Sequence, residues 1–148
     1  MLRFISLFLI NVTLIRSRSQ KEINLEQSKQ KILLIDDDKT LCEVLGEELE
    51  QENYNVSCTF SGKEGLSRLA LDTYNLVILD YNMPEMDGYE VLVQVKKTFP
   101  TLPVMIITGD ADIELQKKFV DMGANEFVKK PFEFEEFLTR VRQCILKY

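Results

Sequence analysis

Residues 76–88 read LVILDYNMPEMDG, and this stretch decides the fold. Its first four residues form an unbroken apolar run, which is typical of a strand buried on both faces of a parallel sheet. Asp80 follows at the carboxyl end of that strand, the edge at which open α/β sheets bind ligands. A turn is the alternative for this acid, because turn-forming residues follow it: Asn82, Pro84, Asp87 and Gly88. The role of Asp80 therefore depends on what the other strands bring to the same edge.

The alternation of apolar strand and amphipathic helix continues through residues 31–148. The predicted strands are 31–35, 56–60, 76–79, 104–108 and 126–129. The predicted helices are 41–52, 62–71, 88–98, 113–122 and 133–146. Ser61 is expected to cap the second helix, with Glu64 completing a capping box. Five βα units with short links predict an α/β fold: a right-handed, doubly wound, five-stranded parallel sheet with five helices.

Composition limits the classes of function. The chain of 148 residues is 45% hydrophobic, which suits one globular domain with a sizeable core. It contains no histidine, so it lacks the usual general base, the usual zinc ligand and a phosphohistidine of its own. Three cysteines without CxxC spacing are typical of isolated, reduced thiols in a cytoplasmic protein. Residues 31–148 carry a net charge of −9, which argues against direct nucleic-acid binding.

The first thirty residues differ from the rest. Ten of the fourteen residues 2–15 are apolar, and basic residues flank them. This run is shorter than the roughly 20 residues of a membrane span, so no clear span is predicted. A signal peptide would need a small-residue cleavage site, whereas Arg16 follows the run. Organelle targeting, a membrane-surface anchor and a misassigned start remain open alternatives. We expect residues 1–30 to be an extension and linker outside the core.

Polar residues end four predicted strands at one edge of the sheet. They are Asp36, Asp37 and Asp38 after the first strand, Asp80 in the third, Thr108 in the fourth and Lys130 after the fifth. Singly, each has an ordinary role as a helix cap, a strand residue or a solvated charge. Clustered carboxylates, however, repel one another unless a cation neutralises them, and their oxygens suit Mg²⁺. The sequence therefore predicts a magnesium site here, with Lys130 as a further positive charge.

The segments IDDD, LDYNMPEMDG, IITG and KKPF fall in order in these βα units. In this arrangement, residues 31–148 resemble the receiver domain of two-component response regulators, a CheY-like fold with strand order 2-1-3-4-5. The resemblance implies that Asp80 is the phosphoacceptor. It also implies that Mg²⁺ is held by Asp36, Asp37, Asp80 and the backbone carbonyl of Asn82.

The same resemblance assigns a switch. Thr108 would hydrogen-bond the phosphoryl group, and Lys130 would form an ion pair with it. A cis Lys130–Pro131 peptide would direct the lysine side chain toward the phosphoryl group. Phe127 holds the family's aromatic switch position and is expected to move inward when Thr108 is drawn to the phosphoryl group. That movement would reshape the face made by the fourth helix, the fifth strand and the last helix. Asn82 and Asp110 occupy positions that flank the approach of hydrolytic water in receivers.

The resemblance also implies partners. The donor would be a histidine kinase or a histidine phosphotransfer protein, which supplies the histidine that this chain lacks. The chain would catalyse only its own phosphorylation and dephosphorylation, so it would not be an enzyme in the usual sense. Because the sequence stops after the last predicted helix, we expect output through a separate partner protein.

Three other classes of protein are alternatives to the receiver. Residues 36–40, DDDKT, fit the DxDxT signature of haloacid-dehalogenase-type phosphatases, in which Asp36 and Asp38 would do the chemistry. That class leaves Asp80 unexplained, and no acidic metal motif follows Lys130. An EF-hand starting at Asp80 places its glycine at the wrong position. A flavodoxin-like cofactor site lacks the phosphate-binding loop after the first strand.

Overall fold

A computed structural model describes residues 29–110 and 112–148. The strands are β1 (Lys31–Ile35), β2 (Asn55–Thr59), β3 (Leu76–Asp80), β4 (Val104–Thr108) and β5 (Glu126–Lys129). The helices are α1 (Lys39–Gln51), α2 (Gly62–Leu71), α3 (Gly88–Thr98), α4 (Ile113–Asp121) and α5 (Phe134–Lys147). The ten predicted elements are present in the predicted order, with bounds that differ by no more than two residues.

All five strands are parallel, in the order β2-β1-β3-β4-β5. This confirms the predicted doubly wound sheet and its strand order. From β1, the second strand in this order, the chain moves outward to β2 and then crosses back over β1 to β3. The order reverses between β1 and β3, and the switch point of an open sheet is where a crevice forms at the carboxyl edge.

The core consists of two apolar layers, one on each face of the sheet. Successive β1 residues alternate between them, with Leu33 in one layer and Leu34 in the other. Helices α1 and α5 cover the Leu34 side, and α2, α3 and α4 cover the Leu33 side. Strands β3 and β4 are buried along their whole length, which explains their unbroken apolar sequences.

Short polar side chains fix the helix starts at the carboxyl edge of the sheet. Asp38 caps α1 by accepting a hydrogen bond from Leu41 N, so α1 begins two residues earlier than predicted. Ser61 caps α2 as predicted, but the Glu64 carboxylate accepts from Phe60 N, so the reciprocal half of that capping box does not form. A complete capping box instead opens α3, between Asp87 and Glu90.

A half-buried lysine ties three elements together at the opposite edge. Lys96 Nζ on α3 donates to Leu102 O at 2.7 Å and to Asn125 Oδ1 at 2.9 Å. The same Asn125 oxygen accepts from Val104 N at 3.0 Å, at the start of β4. Burial lowers the pKa of Lys96. These bonds fix the amino-terminal ends of β4 and β5 against α3.

Residues 1–28 lie outside the described part of the chain. The prediction that residues 1–30 form an extension therefore falls on described residues only at positions 29 and 30. Among the described helices, none combines the length and the apolar character that crossing a bilayer requires.

Candidate functional site

Asp80 lies at the carboxyl end of β3, where the sheet buries it. Its fractional exposure is 4%, and β1 and β4 flank its strand. Burial raises the pKa of Asp80, the neighbouring carboxylates of Asp36 and Asp37 add to that rise, and Lys130 opposes it. A cation at this edge would therefore favour the charged, nucleophilic form of the Asp80 carboxylate.

Lys130 supplies one such cation from a distant part of the chain. Its Nζ donates to Asp36 Oδ2 at 2.8 Å and to Asp80 Oδ1 at 2.9 Å. Burial disfavours its charge, but the bonds to both carboxylates outweigh burial, and the pKa of Lys130 is raised. Lys130 N also donates to Thr108 O at 2.7 Å, and the Lys130–Pro131 peptide is cis as expected. The lysine therefore bridges the ends of β1 and β3.

The two acids after β1, Asp36 and Asp37, differ in their exposure to solvent. Asp36 is 1% exposed, and its Oδ1 accepts from Asp38 N at 2.9 Å, whereas Asp37 is exposed. One carboxylate oxygen from each of Asp36, Asp37 and Asp80 lies within 4.8 Å of the others. Three convergent hard oxygens at this spacing can coordinate one divalent ion such as Mg²⁺. The donor set of the acidic pocket thus fits the predicted metal.

The loop after β3 is held close to Asp80. Gly88 N donates to Tyr81 O at 2.9 Å, and a side chain on Gly88 would meet the Asp80 carbonyl oxygen at 2.5 Å. Only glycine fits at this point, which explains the DG pair that precedes α3. Asn82 lies in this loop with its side chain exposed. The role of its backbone carbonyl as a metal ligand stays a prediction.

Thr108 ends β4 beside the strand that carries Asp80. It is fully buried, and its hydroxyl accepts a hydrogen bond from Asp110 N at 3.1 Å. Its own hydroxyl proton stays available to a group at the sheet edge. The register pairs Asp80 with Ile107, so Thr108 lies one residue further along that edge.

The residue predicted to act as the switch, Phe127, lies inside the protein. Phe127 is 8% exposed and packs in the core layer of α2, α3 and α4, with its ring 6.1 Å from that of Phe119. Phe127 thus already lies inward in this structure, and its predicted movement on phosphorylation stays a prediction. Phe119 also contacts the rings of Tyr81 and Tyr89 edge to face. This aromatic cluster, which sequence spacing does not show, links the loop after Asp80 to β5.

Sequence analysis also missed a contact behind the acidic pair. The Cys42 thiol on α1 donates to Asp36 O at 3.3 Å, and Cys58 on β2 donates to Cys42 O at 3.5 Å. The two cysteines are 16 positions apart, and this spacing predicts isolated thiols rather than a pair. Their placement on the inner face of an amphipathic helix and in a neighbouring strand was the only signal available.

Asp38 does not join the site as the phosphatase alternative requires. Its carboxylate caps α1 through Leu41 N, while Asp36 faces Lys130 and Asp80. The structure therefore separates the two acids on which the DxDxT assignment depends. Asp80, which that assignment leaves unexplained, is one of the three acids of the cluster.

Comparisons with known proteins agree with this geometry. A family model described as response regulator receiver domain matches residues 32–142. The transcriptional regulatory protein YkoG of Bacillus subtilis, itself uncharacterised, is 40% identical over 117 residues, covering 79% of this chain and 51% of YkoG. The response regulator ArlR of Staphylococcus saprophyticus is 38% identical over 115 residues, covering 78% of this chain and 52% of ArlR. The chain thus spans about half the length of these curated relatives.

Solved structures give the same result. A CheY-like receiver domain protein from Methanospirillum hungatei has a TM-score of 0.78 at 28% identity, covering 81% of this chain and 96% of that one. The HemR receiver domain of Leptospira biflexa has a TM-score of 0.76 at 33% identity, covering 79% and 94%. TrrA of Thermotoga maritima, in complex with Mg²⁺ and BeF, has a TM-score of 0.71 at 30% identity, covering 78% and 98%. This chain therefore belongs to the response regulator receiver domain family of two-component signalling systems.

Proposed function

We propose that this domain accepts a phosphoryl group on Asp80 from the phosphohistidine of a histidine kinase or a histidine phosphotransfer protein. The observation that carries the proposal is the bridge from Lys130 to Asp36 and Asp80 beside a third carboxylate. A structural ion pair would need one carboxylate, whereas here three carboxylates lie together and one cation bonds two of them. Such a cluster is expected where further positive charge and phosphoryl oxygens must be accommodated.

The reaction is a phosphoryl transfer to a carboxylate. An Asp80 oxygen attacks phosphorus, the P–N bond of the donor histidine breaks, and the imidazole leaves. Lys130 is close enough to turn from the carboxylates to a phosphoryl oxygen, and the Thr108 hydroxyl can donate to another. Asp36, Asp37, Asp80 and the Asn82 carbonyl would hold Mg²⁺, which when bound neutralises charge on the phosphoryl oxygens. The protein acts on its own aspartate and on no separate substrate.

Output is proposed to pass through the face formed by α4, β5 and α5. The Thr108 carbonyl accepts a hydrogen bond from Lys130 N, and Phe127 pairs with Ile106, two residues before Thr108 in β4. A shift of Thr108 would therefore reach this face through β4 and β5. The acidic charge of residues 31–148 favours a protein partner over direct nucleic-acid contact. YkoG is a transcriptional regulatory protein, and its length is about twice the matched region. The three free cysteines support a cytoplasmic location.

Phosphate-affinity gels with acetyl phosphate and Mg²⁺ test the proposal. The wild-type protein should shift, Asp80→Asn should not, and Asp36→Asn should shift weakly because it loosens the metal cluster. Asp38→Asn is a matched control: it removes the neighbouring charge, but asparagine caps a helix as well as aspartate does. Labelling of Asp80→Asn, together with loss of labelling in Asp36→Asn, would instead favour the phosphatase.

A further inference from the structure

Cys42 and Cys58 form a thiol pair between α1 and β2. Cys58 Sγ donates to Cys42 O at 3.5 Å, and both side chains pack in the same core layer. The neighbouring Cys42 side chain lowers the pKa of Cys58. Gly46, one turn after Cys42, also lies beside the Cys58 sulfur, since a Cβ there would be in ordinary contact with it at 3.6 Å.

The two thiols of this pair differ in access to solvent. Cys42 is fully buried, whereas Cys58 is only partly buried and is the one whose thiolate the contact favours. A partly exposed thiol with a buried thiol beside it is the arrangement in which the first is oxidised and the second resolves it. Cys144 lacks both features: it is buried in α5, and burial raises its pKa to about 11.

We propose that Cys42 and Cys58 form a reversible disulfide on exposure to a hydroperoxide, and that this bond weakens the acidic pocket. The Cys58 sulfur attacks a peroxide oxygen, the O–O bond breaks, and Cys58 becomes a sulfenic acid. The Cys42 sulfur then attacks the Cys58 sulfur, the S–O bond breaks, and water leaves. With hydrogen peroxide, the two thiols lose two protons and two electrons, and the peroxide becomes two waters.

The proposed disulfide would affect the acidic pocket by removing one hydrogen bond. The Cys42 S–H donates to Asp36 O at 3.3 Å, and Asp36 N donates to Thr59 O at 3.1 Å, so α1 and β2 hold the Asp36 backbone from two sides. A disulfide has no S–H, and its formation removes the α1 contact. Asp36 supplies one of the three metal-facing carboxylates. This second part of the proposal rests on the proposed function, and the disulfide itself does not.

Intact-mass analysis of the full chain tests the disulfide. The protein is treated with hydrogen peroxide, quenched with catalase, denatured and alkylated with N-ethylmaleimide. Wild type and Cys144→Ser should each lose two alkylatable thiols, yield a peptide that links Cys42 to Cys58, and recover with dithiothreitol. Cys58→Ser and Cys42→Ala should form no intramolecular link. Three free thiols after treatment, a link to Cys144, or overoxidised Cys58 without a link would each overturn the proposal.

Calorimetric titration with Mg²⁺ alone tests the coupling. Oxidised Cys144→Ser should bind Mg²⁺ roughly tenfold more weakly than its reduced form. Loss of a residue that hydrogen-bonds a metal ligand typically weakens metal affinity by at least about this factor. The double variant Cys58→Ala/Cys144→Ser controls for methionine oxidation and should bind equally before and after peroxide. Equal affinity of the two Cys144→Ser forms would overturn the coupling. A reduced protein that binds no Mg²⁺ would overturn the proposed metal site, while the mass analysis would still decide the disulfide.

Discussion

Lys130 Nζ lies 2.9 Å from Asp80 Oδ1, although 50 residues separate them in the chain. The same ammonium group contacts Asp36 at 2.8 Å, so one internal cation serves two buried carboxylates. Stability at this edge of the sheet and binding of a second cation must therefore be linked.

Mg²⁺ should stabilise the fold. Asp36, Asp37 and Asp80 converge at the sheet edge, and an ion bound only by the native state adds RT ln(1 + [L]/Kd) to the free energy of unfolding. At a hundredfold excess over Kd this amounts to about 2.7 kcal/mol. Thermal melts in millimolar Mg²⁺ should lie above melts in EDTA, and Asp80→Asn should reduce the difference. Equal melting temperatures for the wild type would show that these acids do not form a common site.

Replacing Lys130 with methionine should destabilise the metal-free protein. Asp36 and Asp80 would then face each other without their internal cation. Removing one partner of a buried ion pair costs about 3–5 kcal/mol, and we expect about 2 kcal/mol because the lysine side chain is 25% exposed. Urea unfolding in EDTA measures the loss, with Lys129→Met as the matched control, since Lys129 is exposed. Equal destabilisation by both variants would show that the bridge contributes nothing.

Thr59→Val should stabilise the protein. Thr59 is fully buried, and its hydroxyl has no hydrogen-bond partner among residues 29–110 and 112–148. Valine keeps the shape and removes the desolvation cost, so the free energy of unfolding should rise by about 1 kcal/mol. Thr73→Val, at an exposed position, should change stability by less than about 0.5 kcal/mol. A drop in stability of Thr59→Val in denaturant melts would mean that the hydroxyl is bonded after all.

Much of this fold is readable in the sequence, because the signals are local. The apolar runs of β3 and β4 and the periodicity of the helices require only neighbouring residues. Errors arose where side chains compete for a backbone donor. Glu64 bonds Phe60 N instead of completing the box at Ser61, and the spacing rule does not distinguish these two donors.

The candidate site likewise has features that the sequence predicts and features that only the structure shows. Strand ends place Asp36, Asp80 and Thr108 at one edge, and the order of the motifs supplies the family. The bridge formed by Lys130 spans 94 residues to Asp36, and the contact between Cys42 and Cys58 joins a helix to a strand. Such contacts depend on tertiary packing, which a single sequence does not encode in any local pattern.

Deleting residues 1–28 should leave both phosphorylation and melting temperature nearly unchanged. The five strands and both core layers lie within residues 31–148. Differential scanning calorimetry and the phosphate-affinity gel on full-length and shortened proteins provide the comparison. A large loss of stability in the shortened protein would show that the apolar segment packs on the domain.

The acyl phosphate should be short-lived for a receiver. Asn82 and Asp110, the two residues expected to flank the incoming water, are short, polar and exposed, and Gly109 adds no side chain. Asn82→Met combined with Asp110→Arg should slow the loss of phosphate by adding bulk and removing groups that orient water. Decay of the phosphorylated form is followed after the donor is removed at constant Mg²⁺. If the double variant decays as fast as the wild type, these positions do not control water access.

The bonds of Lys96 to Leu102 and Asn125 give the sheet a mechanical asymmetry. They clamp the amino-terminal ends of β4 and β5, while the charged groups lie at the opposite ends, near Thr108 and Lys130. When a strand is fixed at one end and displaced at the other, the displacement of its atoms increases with distance from the fixed end. We therefore expect signal-dependent movement to be largest in the loops after β4 and β5 and to vanish toward Lys96, which serves as the fixed support.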